Sequence, residues 1–167
     1  MRMIIALAAI VLGLAGPAAA AETGRLTRVR SAGEVRVCIW PDYYSITYRN
    51  TRTGELEGID IDMAKQLAKD LGVAVRFVDS SFKTMIDDLL GDRCDVSMHG
   101  IGITPARQEK LSFTRPHLRS GIYAISTRNH PVIKDWDSID QNGVIVAVAA
   151  GTFMVDVMKQ TLKHAQL

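Results

Sequence analysis

Apolar and polar positions along this chain alternate between strand-like and helix-like periods. Val35-Arg36-Val37-Cys38-Ile39-Trp40 reads as a first strand. Asp42 to Thr53 is polar, aromatic and irregular, and Thr53-Gly54-Glu55 reads as a turn. Beyond it the period changes. Met63, Ala64, Leu67, Ala68 and Leu71 recur at spacings of three and four, opposite Lys65, Gln66, Lys69 and Asp70, which is the stripe of an amphipathic helix. Asp60 can cap that helix, acidic Asp62 suits its first turn, and Gly72 ends it. Val73, Val75 and Phe77 then alternate through a second strand.

Ser80 or Ser81 is placed to cap the next helix, whose stripe is Phe82, Met85, Ile86, Leu89 and Leu90 and whose stop is Gly91. Asp87 and Asp88 read as its solvated face. Asp95 to Ile103 is expected as a third strand carrying Gly100 and Gly102. Thr104-Pro105 starts a short helix, with threonine as cap and proline at the first helical position. Gly121 to Thr127 reads as another β segment. Val144 to Val148 is the unbroken apolar run expected of a strand buried on both faces, and Gly151-Thr152 caps a last helix running towards Leu167. The β-α-β-α-β order predicts an α/β fold with a parallel sheet.

Such sheets bind ligands beyond the carboxyl ends of their strands. The segments expected there are Trp40 to Tyr48, Asp79 to Phe82, and His99 to Arg107. Trp40, Tyr43 and Phe82 can wall the aliphatic or cationic part of a ligand. Gly100 and Gly102 allow close backbone approach, and the helix start at Thr104 offers amide hydrogens to an anion. Arg107 falls in that first turn, where its charge opposes the helix dipole. The placement makes sense if Arg107 grips a carboxylate through a bidentate pair, and the bland reading is a surface arginine paired with Glu109 or a distant acid.

Composition narrows the classes. The 167 residues hold 20 Lys and Arg against 18 Asp and Glu, with no charge block, so neither nucleic acid nor an anionic membrane surface is indicated. Met1-Arg2-Met3, the apolar run Ile4 to Ala15, the break at Gly16-Pro17 and Ala18 to Ala21 form the pattern of a secretory signal peptide cut after Ala20 or Ala21. The two cysteines, Cys38 and Cys94, are then exported, which favours a disulfide. Parallel neighbouring strands would instead leave them at different heights, as two separately buried thiols. His99, His117, His130 and His164 lack metal-ligand spacing, and Ser97, Ser112 and Ser120 lie in no nucleophile elbow, so no cofactor or metal is called for.

In order along the chain, several stretches resemble the family 3 periplasmic solute-binding proteins, the amino-acid-binding components of ABC importers. They are Glu57-Gly58-Ile59-Asp60-Ile61-Asp62-Met63-Ala64, Leu71-Gly72-Val73, Phe82 with Leu89, and Asp95-Val96. Ile103-Thr104-Pro105-Ala106-Arg107, Phe113-Thr114-Arg115-Pro116, and Val146-Ala147-Val148 with Gly151-Thr152 follow. The resemblance implies two α/β lobes hinged around a ligand: a signal peptide at 1–21, lobe one at 22–126 and an incomplete second lobe at 127–167. It implies that Arg107 holds the ligand's carboxylate, that Tyr43 and Phe82 wall its side chain, that the backbone at His99, Gly100 and Gly102 lines the cleft, and that Thr152 completes the carboxylate grip. Trp40 stands where many members have an acid for the ligand's amino group, and Gly102 where many have Ser or Thr. Family members continue past the equivalent of Leu167, so a C-terminally truncated chain is expected. The implied role is capture of a small polar carboxylate or amino-acid-like molecule in the periplasm, as a monomer, for an inner-membrane ABC permease. The alternatives are a cyclohexadienyl-dehydratase-like enzyme on the same fold, with His99 as the nearby acid–base candidate, and a sensor domain.

Overall fold

The computed structural model describes residues 24–167, so the signal-peptide expectation at 1–21 lies outside the described residues. The chain opens with helix α1 (Arg25–Ala32) and enters strand β1 (Glu34–Ile39) through Gly33. Three short strands follow, β2 (Asp42–Tyr43), β3 (Thr47–Arg49) and β4 (Leu56–Glu57). Helix α2 (Ile59–Leu71), strand β5 (Ala74–Asp79), helix α3 (Met85–Leu90), strand β6 (Val96–Ser97) and helix α4 (Pro105–Gln108) complete the first part of the chain. Helix α5 (Met154–Thr161) is the last helix.

Strand β1 is the centre of a parallel sheet of order β5-β1-β6. Val35 lies opposite Val75 and Val37 opposite both Phe77 and Val96. The chain steps from β1 to β5 on one side and returns to β6 on the other, so the strand order reverses at β1 and opens a crevice at the carboxyl ends. Val35, Val37 and Ile39 alternate towards Val29 of α1 and Ile61, Ala64 and Ala68 of α2, and this one cluster forms the core. Ile61, rather than half-exposed Met63, carries the buried stripe of α2. Burying each such aliphatic side chain contributes about 1.5–3 kcal/mol.

The residues expected to be irregular after β1 form a small antiparallel sheet, β2-β3-β4. Gly58 ties it to α2. At φ 129 a Cβ would stand 2.4 Å from the Ile46 carbonyl oxygen, so only glycine lets the Ile59 and Asp60 amides donate to the Ser45 and Ile46 carbonyls, each at 3.0 Å. Gly58, not Asp60, therefore occupies the cap position of α2.

Other expectations are corrected here. The third strand is only Val96–Ser97, because Gly100 at φ 63 turns the chain out of the extended region. Asp88 is not solvated. It is 4 % exposed and accepts hydrogen bonds from Ser80 Oγ (2.6 Å) and Thr84 Oγ1 (3.0 Å) while pairing with Arg93. Gly121 to Thr127 forms no strand, and the Val144–Val148 run keeps one parallel bridge, Ile145 to Gln166. Neither segment finds a neighbouring strand among the described residues, so neither backbone can join a ladder. Helix α5 begins behind Phe153 rather than at Gly151-Thr152 and stops at Thr161, well before Leu167.

Cys38 and Cys94 form a disulfide, with Cα atoms 5.6 Å apart. The height argument failed because Cys94 lies in the turn-rich connection between α3 and β6, outside the ladder. At the same end of the sheet, Arg36 makes a bidentate pair with Asp95 (2.7 and 3.0 Å) and a further bond to Asp92 (2.9 Å). The Arg36 hydrogen bond holds the Asp95 carboxyl below the usual carboxylate range despite its burial. These ties fix β6 beside β1.

Candidate functional site

Three connections leave the carboxyl ends of the parallel strands and converge. Trp40 follows β1, Phe82 follows β5, and His99 to Gly102 follow β6. The rings pack on one another: Trp40 to Tyr43 at 5.5 Å between centroids, Trp40 to Phe82 at 5.3 Å, Tyr43 to Phe82 at 6.0 Å and Phe82 to His99 at 4.9 Å. All four contacts are tilted or edge-on, the arrangement that ring quadrupoles favour. Three of these rings, Trp40, Tyr43 and Phe82, stay half-buried and keep part of their apolar surface exposed.

His99 is fully buried, and burial pushes its imidazole down to about 4, against smaller upward pulls from the Cys38 backbone and the Asp60 carboxylate. The ring is therefore neutral at pH 7. Its Nδ1 lies 3.3 Å from Ser97 Oγ, and its Nε2 has no hydrogen-bond partner among the described residues. Asp60, 1 % exposed, positions the adjoining loop: its Oδ2 accepts the Gly100 amide at 2.7 Å. Its Oδ1 lies 3.5 Å from His117 Nε2. Gly100 must be small as well as left-handed here, because a Cβ would stand 3.1 Å from the Tyr43 ring.

Thr104 caps α4 as expected, its hydroxyl accepting the Arg107 amide at 3.3 Å, with Pro105 at the first helical position. Arg107 is only 7 % exposed, and no carboxylate pairs with it among the described residues, Glu109 included. Its Nη1 donates to the Gly102 carbonyl (2.7 Å) and its Nη2 to the Gly151 carbonyl (2.9 Å). Burial pushes this guanidinium down, with Asp156 on α5 pulling it back up. A buried guanidinium held by carbonyl oxygens alone can exchange one of them for a carboxylate, a stronger, charge-assisted partner.

The Gly151 contact brings in the C-terminal segment. Thr152 lies beside it, with its hydroxyl donating to the Ala149 carbonyl at 2.7 Å. The Phe153 ring covers Gly102, where a Cβ would meet it at 3.0 Å. The nine residues singled out from sequence thus collect at one end of the sheet. Sequence reasoning missed Phe153, Lys83, which backs Gly151, and the loop-holding role of Asp60. Phe153 directly follows Gly151-Thr152 and could have been found there, whereas the Asp60–Gly100 bond spans 40 residues and leaves no local signal.

The sequence profile of the bacterial extracellular solute-binding proteins, family 3, matches residues 35–165. The chain belongs to that family. It is 34 % identical over 167 residues to the cyclohexadienyl dehydratase of Pseudomonas aeruginosa, covering 99 % of this chain and 62 % of that protein. It is 30 % identical over 144 residues to the L-cystine-binding protein of Escherichia coli, covering 86 % and 53 % respectively. Among solved structures it resembles an ancestral amino-acid-binding protein described as a precursor of cyclohexadienyl dehydratase, with a TM-score of 0.79 and 33 % identity over 86 % of this chain and 63 % of that one. The chain therefore has the periplasmic-binding-protein fold and spans between half and two thirds of the length of these relatives.

Proposed function

We propose that this family 3 chain binds a small, amino-acid-like carboxylate at the carboxyl ends of β5, β1 and β6, as the solute-capturing component of a periplasmic ABC importer. The observation that carries this reading is Arg107: a buried cation with only carbonyl partners, on the connection that leaves β6 where the strand order reverses. In this reading Arg107 takes the ligand's carboxylate, with Thr104 and Thr152 beside it. Trp40, Tyr43 and Phe82 wall the ligand's side chain, and the backbone at His99, Gly100 and Gly102 lines the floor. Trp40 in place of an acid favours a ligand with a bulky or cationic group, which a ring face can hold. Residues 22–126 act as lobe one and 127–167 as part of the second lobe. Residues 1–21 direct export, the protein works as a monomer, and a membrane permease reads its ligand-bound form.

A second reading is a dehydratase, favoured by the name of the Pseudomonas relative. Its candidate acid–base group is His99, and a neutral imidazole with a free Nε2 suits a proton acceptor better than a proton donor. One oxygen of Asp60 accepts the Gly100 amide, and the amino-acid-binding relatives support binding without turnover as the first reading. The test is to incubate the full chain with L-arginine, L-cystine, L-histidine and a carboxylated cyclohexadienyl compound, following binding and product together. Saturable binding without product supports capture. Product formation that His99→Ala abolishes overturns it.

A further inference from the structure

Both groups proposed to grip the carboxylate are already engaged by the chain itself. Arg107 Nη2 donates to the Gly151 carbonyl, and the Thr152 hydroxyl donates to the Ala149 carbonyl. Two packing contacts hold this segment where it is. Gly151 lies so close to the Phe82–Lys83 backbone that a Cβ would stand 2.6 Å from Lys83 Cα, and its φ of 78 is one that L side chains rarely adopt. Two residues on, the Phe153 ring covers Gly102, the residue whose carbonyl takes the other arm of Arg107. The hydrogen bond and the backbone contact come from Gly151 and the ring contact from Phe153, and together they reach Arg107, the Phe82–Lys83 backbone and Gly102.

We infer that residues 149–153 form a built-in plug: the Gly151 carbonyl takes the Arg107 position that a ligand carboxylate would take. Binding is then an exchange. The incoming carboxylate displaces the Gly151 carbonyl from Arg107, and Thr152 releases Ala149. The exchange is favoured by the stronger bond a guanidinium makes to a carboxylate, and opposed by the Gly151 and Phe153 contacts that release gives up. It is also gated, because only the fraction of chains with the segment released can accept ligand, and the apparent affinity falls by that fraction. The gating rests on the solute-binding reading, since it takes Arg107 as the ligand's anchor; the self-occupied contact stands without it.

The test is residue-resolved hydrogen exchange on the full chain without ligand, for wild type, Arg107→Ala and Gly151→Ala. The wild type should protect amides between 150 and 155. Arg107→Ala should speed exchange there about ten- to a hundredfold, the weight of a hydrogen bond to a charged group, with amides of β1 and β5 unchanged. Gly151→Ala keeps Arg107 but forces the segment off Lys83, and it should give the same local release. Stopped-flow mixing with L-arginine as the probe adds the gating arm, where Gly151→Ala should associate faster than wild type. Exchange in the wild-type segment as fast as in an unstructured peptide, or unmoved by Gly151→Ala, would overturn the plug. A released segment with unchanged association would overturn the gating. If L-arginine binds to neither protein, the exchange result alone decides the plug, while the binding panel separately decides the solute-binding reading.

Discussion

Residues 25–108 bury ten apolar side chains along with Thr47, Asp60, Asp88, His99 and Arg107, whereas residues 109–167 bury only Ile139, Val144 and Met158. The second region is not poor in apolar residues. Ile125 is fully exposed, Tyr123 and Ile145 mostly so, and Leu118, Val132, Trp136 and Leu167 are about half exposed. What separates the regions is partners. In the first, β1 lies between two parallel neighbours and α2 covers one face, so the apolar positions of β1 and of the inner face of α2 meet one another, while Tyr44 and Leu90 stay exposed. In the second, Val144 to Val148 has the composition of a central strand but a single bridge. Apolar sequence supplies the material of a sheet, and only non-local pairing makes one.

The difference between the two regions should be largest in the core. Ile61→Ala should cost about 2–5 kcal/mol in urea unfolding, by lost transfer energy and the cavity left behind. Ile125→Ala should stay within about 0.5 kcal/mol. Equal costs would mean that the second region is packed after all. The next effect is the disulfide. Replacing Cys38 and Cys94 together with alanine should lower stability by about 2–4 kcal/mol, because the bridge closes a loop between residues 56 apart in sequence. No loss would show that the strands are aligned without it.

The buried imidazole sharpens the comparison through pH. Between pH 6.5 and about 4 the unfolded chain binds a proton at His99 that the folded chain refuses. The stability this gives is complete above pH 6.5 and falls by about 3 kcal/mol as pH drops to about 4. Urea midpoints measured across that window should show the loss, and His99→Gln should flatten it. A wild-type profile that is flat there would mean the ring is not buried as described. Asp88 and Asp95, held low in the fold, add losses only at more acid pH. The smallest effect belongs to the second region. Asp140 Oδ1 accepts the amides of Lys163 (2.9 Å), His164 (2.8 Å) and Ala165 (2.9 Å), so Asp140→Asn should speed their exchange and leave the global transition unmoved. A shift of the whole transition would show that the C-terminal segment supports the core.

The same division separates what could be read from sequence and what could not. β1, α2 and β5 were legible because their period alone states which face is buried, and α4 because Thr104 and Pro105 are local signals. Trp40, Phe82 and His99 were found because parallel topology sends such residues to one edge. Helix α1 was missed, since Val29 is its only buried residue and no stripe marks it. The buried state of Asp88 depends on Ser80, Thr84 and Arg93 meeting in space, and the disulfide on a turn that carries Cys94 out of the ladder. The strands expected at 121–127 and 144–148 failed for the reason given above: periodicity reports a face, not a neighbour.

The proposed capture of a carboxylate stands or falls with Arg107. Titration calorimetry of the wild type and Arg107→Ala with whichever of L-arginine, L-cystine or L-histidine binds tests it most directly. Wild-type binding should be saturable and should weaken by about 2–5 kcal/mol in the variant, the scale of removing one partner from a buried charge pair. Binding of equal strength in the two proteins would contradict it.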